Sequence, residues 1–189
     1  MELLTGIFSA FGLSASAGLN AYIPLLVIGS IAHFTDVIKL SSPWDTLANP
    51  WILILLGVLV IIEMLADKIP AVNHINDIIQ TIIRPVAGAI VFAASARVIT
   101  DIHPVLALGC GLLVAGAVHV VKSAAVRPAV TAATGGTGNI PVSIAEDILA
   151  TVTSLLAVLI PVLLGIFIIF LVAALIWWIK KRAIKQKLV

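Results

Sequence analysis

The chain has 189 residues, 61% of them apolar and only 11% charged, with a formal net charge of +2 and one cysteine. A water-soluble domain carries about 25% charged residues, so the composition excludes an ordinary soluble enzyme and points to a single integral membrane domain. Cys110 alone builds neither a disulfide framework nor a cysteine metal site, and it reads as a small buried apolar residue.

The first apolar stretch runs from Leu3 to Phe34, longer than the roughly 20 residues one helical crossing needs. Met1-Glu2 offers no positive leader, so this stretch is expected to stay in the fold. Its middle, Ser14 to Pro24, is small, polar and helix-breaking. Asn20 and Pro24 predict a short leading helix, a break near Gly18 to Asn20 and a crossing that begins near Pro24. One tilted helix with a small-residue packing face is the alternative. A polar loop follows from His33 to Asn49, with Trp44 and Trp51 at a headgroup level. The second span is Trp51 to Ala66, and Asp67 to Asn76 reads as a short polar link.

The third span is expected from Asp77 to about Ala96, a loop from Arg97 to Pro104, and a fourth span from Pro104 to about Lys122. Ser123 to Pro141 is the least regular region. Its Thr134-Gly-Gly-Thr-Gly-Asn139 run cannot continue a helix at ordinary cost, and non-helical backbone at membrane depth must be buried in protein or face water. A re-entrant or half-spanning element is expected there. Val142 to Ile179 reads as one long helix kinked at Pro161 and Gly165. Lys180, Lys181, Arg182, Lys185 and Lys187 then form a basic tail over 180–189, leaving six cations against nine carboxylates in residues 1–179. By the positive-inside bias this tail predicts a cytoplasmic C-terminus and headgroup anchoring; a patch for anionic lipid or nucleic acid is the alternative. Two echoes hint at a weak internal repeat. Gly18-Leu-Asn20 through Ile-Pro24 matches Gly138-Asn139-Ile-Pro141, and Asn76-Asp77 with Thr81 matches Glu146-Asp147 with Thr151, each acid placed at a helix start.

Ionisable groups inside so apolar a chain are the candidate site, because a charge at the bilayer centre costs from about 2.5 kcal/mol upward unless paired or wetted. Glu63 and Asp67, four apart, share a helix face where they cannot both ionise cheaply; the plainer reading makes Asp67 and Lys68 a membrane boundary. Asp77, Gln80 and Arg84 line one face of the next span, extended by Asn73 and Asn76. Arg84 needs a carboxylate, and Glu63 or Asp147 is the expected partner. His119, Lys122 and Arg127 make a cationic group that, with the helix start near Val142, either binds an anion or serves packing. No metal-ligand spacing, nucleophile motif or nucleotide loop appears.

These residues carry a resemblance. Ala17-Gly-Leu-Asn-Ala-Tyr-Ile-Pro-Leu-Leu26, Glu63-x-x-Ala-Asp-Lys-Ile-Pro70, Asp77-x-x-Gln-x-x-x-Arg-Pro-x-x-Gly88, His119-x-x-Lys122 and Ser143-x-x-Glu-Asp147 span most of the chain. It resembles a bacterial family of small polytopic proteins known only as a domain of unknown function. The resemblance implies an all-helical inner-membrane protein and brings no substrate. Asn73-His74 stands where similar proteins carry an acidic or bulky residue.

The sequence thus predicts an all-α transmembrane bundle of about five crossings with one or two broken or re-entrant segments, in a lipid bilayer, as a homodimer, without cofactor, metal or nucleic acid. The leading functional expectation is a transporter or channel-like protein for a small solute, an anionic one included, proton- or cation-coupled. Its site would lie between the breaks at Asn20 and Asn139. Glu63, Asp67 and Asp77 would handle protons or cations against Lys68, Arg84, Lys122 and Arg127, with Gln80, His119, Glu146 and Asp147 nearby. An intramembrane enzyme or carrier acting on a lipid phosphate, and a non-catalytic assembly protein, are the alternatives.

Overall fold

A computed structural model describes residues 2–99 and 102–186, with side chains for 4–69, 75–96, 102–163 and most of 165–181. Helices occupy Glu2–Leu19 (α1), Tyr22–Phe34 (α2), Pro50–Ala66 (α3), Pro70–Ile99 (α4), Pro104–Val121 (α5), Arg127–Thr134 (α6), Asn139–Leu159 (α7) and Pro161–Gln186 (α8). A 3₁₀ turn at Trp44–Ala48 precedes α3, and a π-helical turn at Lys122–Val126 joins α5 to α6. Ile75–Ala96, Pro104–Thr134 and Asn139–Leu159 are long and apolar enough to cross a membrane, and Leu4–Leu19, Tyr22–Phe34, Pro50–Ala66 and Pro161–Ala174 are shorter apolar helices. The result is the all-helical bundle that the apolar runs predict.

The helix α1 is the hub, touching α2, α4, α5, α7 and α8. Its small residues permit this: Ser9, Ala10, Ser14, Ser16 and Ala17 are all buried. Between membrane helices there is little hydrophobic drive, so close backbone approach and interhelical hydrogen bonds replace it. Ser14 Oγ donates to the Gly111 carbonyl at 2.8 Å, Ser16 Oγ donates to that of Ala150 at 2.8 Å, and Ser16 and Ser154 hydroxyls meet at 2.7 Å. The α5 helix buries Ala107, Gly111, Ala115 and His119, one residue in four along a single ridge. That ridge packs on α4 so closely that a Cβ at Gly111 would lie 2.6 Å from Phe92 Cβ and 2.7 Å from Ala89 Cα. By contrast α3 buries only Leu53, Leu56 and Glu63, leaving most of its apolar surface outward.

Several boundaries differ from the sequence expectation. The break in the first stretch falls at Asn20–Ala21, as predicted, and Pro24 is the third residue of α2. The link after the second span is shorter than Asp67 to Asn76, because Pro70 takes the first helical position of α4, where its missing N–H costs nothing. The irregular region contracts to a turn at 135–138, where Gly135 and Gly136 adopt positive φ of 62° and 92°; α5, the π-turn and α6 are helical through Thr134. The last long helix is two: the chain breaks at Ile160, with φ −141° and ψ 57°, and Pro161 starts α8. At Gly165 α8 continues, and a Cβ there would meet the Phe8 ring at 2.5 Å. The basic residues from Lys180 to Lys185 continue α8, which ends at Gln186. Cys110 is exposed on the outer face of α5, because the inward ridge passes through Ala107 and Gly111. Trp51 faces outward, while Trp44 packs against the core.

Gly111→Val is expected to lower the thermal midpoint in detergent by several degrees. Overpacking costs typically about 1–3 kcal/mol, and 1 kcal/mol moves a domain of this size by about 2–4 °C. Gly109→Ala, whose Cβ would meet nothing within 4 Å, should leave the midpoint unchanged or slightly raised. Equal losses at both positions would contradict the close α4–α5 contact.

Candidate functional site

The interruption between α1 and α2 leaves a helix C-terminus and a helix N-terminus facing each other inside the bundle. Each end has orphan backbone groups that water or a side chain must satisfy. At the N-terminus of α2, Asn20 Oδ1 accepts from the N–H groups of Tyr22 and Ile23 at 3.2 and 3.1 Å, and the Ala21 N–H donates to both Glu63 oxygens at 3.1 and 3.3 Å. At the C-terminus of α1, Lys122 Nζ donates to the Leu19 carbonyl at 3.0 Å. A carboxylate thus sits on the positive helix end and an ammonium on the negative one, the stabilising sense of both dipoles.

From these two caps a continuous ion network spreads. Arg84, fully buried, donates to Glu63 Oε1 at 2.9 Å through Nη2 and 3.2 Å through Nε, and reaches Asp67 at 3.5 Å. Lys122 pairs with Glu146 at 2.9 Å and Asp67 at 3.5 Å. Arg127 pairs with Asp67 at 3.0 Å, Glu146 at 3.2 Å and Asp77 at 3.3 Å. Lys68 and Asp147 meet at 3.1 Å, and Asp147 also accepts from Asn20 Nδ2 at 3.1 Å. Asn76 Nδ2 donates to Asp67 at 2.7 Å. His119 Nδ1 lies 3.1 Å from Arg84 Nη1, which can only donate. The ring proton is therefore on Nε2, which donates to Thr81 Oγ1 at 3.2 Å, while that hydroxyl gives its proton to the Asp77 carbonyl at 2.8 Å. His119 is neutral, and among the described side chains four cations face five carboxylates.

The π-turn builds part of this arrangement. Lys122 and Arg127 are five apart, which in an α-helix of 3.6 residues per turn separates them by about 140°. The Arg127 N–H instead bonds the Lys122 carbonyl, five residues back, so both side chains point the same way and share Asp67 Oδ2 and Glu146 Oε2. Such π-bulges occur often at functional sites.

Twelve of the thirteen sequence-derived candidates belong to this region, and Asn139 lies at its rim. Asn139 exchanges hydrogen bonds with Thr131 at 2.9 and 3.3 Å, and lines a half-open cleft of about 480 Å³ with Asp67, Lys68, Thr131, Gly135 and Thr137. The Asp147 alternative for Arg84 does not hold: Asp147 faces Lys68 and Asn20, and Glu63 takes the guanidinium. His119, Lys122 and Arg127 do not form an open anion cradle beside the glycines, since the carboxylates of α3, α4 and α7 already occupy Lys122 and Arg127. The acids are not at helix starts either. Asp77 and Glu146 each stand eighth in their helices, because α4 and α7 begin earlier than expected. The echo between them survives locally: Thr81 and Thr151 both donate to the carbonyl of the Asp four residues before, and Pro24 and Pro141 are each third in their helices. The Asn73 side chain lies outside the described residues. Among the described residues no three His, Cys, Asp or Glu side chains gather as metal ligands.

A broken helix whose two ends are held by buried opposite charges, inside a bundle of membrane-spanning helices, defines an integral membrane protein with an internal polar site. The chain belongs to the family described as a domain of unknown function (DUF4126), whose model matches residues 7–181 and so covers the break and the whole network. No curated protein and no solved structure matches it.

Two variants test the network. Arg84→Ala should destabilise the protein by about 3–5 kcal/mol, the cost of leaving a buried charge unpaired, and Arg84→Ala with Glu63→Gln should be milder in the same unfolding assay. Equal damage from the single and the double change would show that the two are not coupled. Deleting Ala124 should return the linker to α-helical pitch and cost about as much as Arg127→Ala; a deletion as stable as the parent would strip the π-turn of this role.

Proposed function

We propose that this protein is a membrane carrier for a small solute, coupled to protons or cations, with its site at the α1–α2 break. The observation that carries the reading is the pair of caps: Glu63 on the Ala21 N–H and Lys122 on the Leu19 carbonyl. Discontinuous helices whose opposed ends bind charge are how many secondary transporters hold substrate and coupling ion near the midplane. The cleft beside Asp67, Lys68 and Asn139 supports an approach from one side. In this proposal the protein sits in the bacterial inner membrane with its C-terminus in the cytoplasm, as the cations that end α8 favour. It acts there as a homodimer, for which the mostly outward apolar surface of α8 leaves room.

A lipid-phosphate enzyme or carrier is the second reading. It draws on a lateral groove of about 490 Å³ whose walls include Leu19, Val118, Val121 and Leu149, with Lys122 and Glu146 at its edge. It ranks lower because Lys122 already serves Glu146, Asp67 and the Leu19 carbonyl.

In proteoliposomes under an imposed pH gradient, a flux screen of small solutes should find uptake that Glu63→Gln reduces at least tenfold, with the variant still monodisperse in detergent. Undiminished uptake in Glu63→Gln would remove Glu63 from the mechanism, and a lipid phosphate turned over without flux would favour the second reading.

A further inference from the structure

Among the described side chains the buried network is one positive charge short. Five carboxylates meet four cations, and His119 is held neutral by the Arg84 guanidinium at its Nδ1. A net charge in a low-dielectric interior is costly, so one more positive charge is called for. Of the three buried side-chain oxygens without a partner among the described residues, Ser143 Oγ is a hydroxyl that carries its own proton, and the other two mark where that charge belongs. Asp77 Oδ1 and Gln80 Oε1 are both buried and without a hydrogen-bond donor. They stand at i and i+3 on α4, hence on one face, and Gln80 is 3% exposed. Asp77 also makes the loosest pair. Its contact to Arg127 is 3.3 Å, whereas Glu63, Asp67, Glu146 and Asp147 each have a cation at 3.1 Å or closer. Charge-assisted bonds are normally shorter, about 2.7–2.9 Å.

We infer that Asp77 is the proton-binding group of this network, its carboxylic O–H shared with Gln80 Oε1. A proton from water adds to Oδ1, no bond in the protein breaks, and the single proton satisfies both orphan oxygens while it balances the charge. Asp77 is also more open than the other acids near Arg127, its side chain 23% exposed while Glu63, Asp67 and Glu146 are at 1%, 2% and 8%. The groups that bear on Asp77 are Arg127 from α6, Asp67 and Glu146 through that same guanidinium, and His119 of α5 through Thr81. His74 is one turn away in sequence. As the coupling ion of the proposed carrier this proton rests on the transport reading; as a bound proton it stands alone.

The test is infrared difference spectroscopy on the purified full-length protein between neutral and alkaline pH. A protonated carboxylic C=O band is expected in the wild type and in His74→Gln, and absent in Asp77→Asn. Asp77→Asn should keep the wild-type thermal midpoint within a few degrees, because its carboxamide supplies the donor that the acid O–H supplied. Gln80→Leu should weaken the band, because the O–H loses its acceptor. A band that survives Asp77→Asn places the proton on another carboxylate and overturns the inference. So does a wild type without the band, whether sodium or potassium raises its midpoint over choline or no salt does. The band reads occupancy without flux. Its loss alongside intact Glu63-dependent uptake sinks only the proton assignment, and its presence without uptake sinks only the carrier.

Discussion

Everything in this bundle answers to the burial of charge at the interruption between α1 and α2. Moving an ion from water into a protein interior costs several kcal/mol even after relaxation, and mutual attraction offsets this only where geometry is good and every lone pair has a partner. The network meets most of that demand by sharing, with Asp77 Oδ1 left as the exception. Asp67 Oδ2 receives Arg84, Lys122 and Arg127, and Glu146 Oε2 receives Lys122 and Arg127. Glu63 draws on a guanidinium and a backbone N–H together. A lone ion pair would leave half of each group unsatisfied. A web joining α3, α4, α5, α6 and α7 to the ends of α1 and α2 does not.

Sharing also ties the helices mechanically. Lys122 holds the end of α1 and two acids at once, so a rotation of α5 about its axis would disturb the α1 cap, the Asp67 contact and the Glu146 contact together. The π-turn that aligns Lys122 with Arg127 depends on one extra residue in the helical turn. The tight Gly88, Gly111 and Ala115 contact between α4 and α5 lies on the ridge that ends at His119. Packed interfaces of this kind are bistable rather than continuously deformable, which is the property alternating access needs.

Much of this was legible in the sequence. The break at Asn20, the two spans bounded by Trp51 and Pro104, and a carboxylate partner for Arg84, either Glu63 or Asp147, followed from apolar run length and from the cost of an unpaired guanidinium. What the sequence concealed depends on backbone that deviates from regular pitch or on groups with no side-chain signature. Lys122 and Arg127 do not share a face at α-helical spacing, and nothing in Lys-Ser-Ala-Ala-Val announces a π-turn. The Leu19 carbonyl and the Ala21 N–H are invisible as site groups because every residue has them. Ser14 and Ser16 read as part of a small, helix-breaking stretch and Ser154 drew no reading, yet their hydroxyls bridge helices more than ninety positions apart. The early starts of α4 and α7 were masked by polar residues that looked like loop, although Asn76 lies inside α4 and Asn139 opens α7.

The pairing of the network constrains what the proposed carrier can bind. Breaking a buried pair by removing one partner costs about 3–5 kcal/mol, so a neutral solute that merely displaced Lys68 from Asp147 would have to recover that much elsewhere. An anion meeting Lys68 would compete with Asp147, and a cation meeting Asp147 would compete with Lys68; in each case one protein charge is exchanged for one ligand charge and the loss is small. Lys68 is also the cation that keeps the most exposure, 28%, and it lines the cleft with Asp67. A singly charged solute entering beside Lys68 therefore perturbs the network at its most accessible pair, and through Asp147 it loosens the Asn20 side chain that caps α2. Charge on the solute, rather than its size, is what would let binding reach the break.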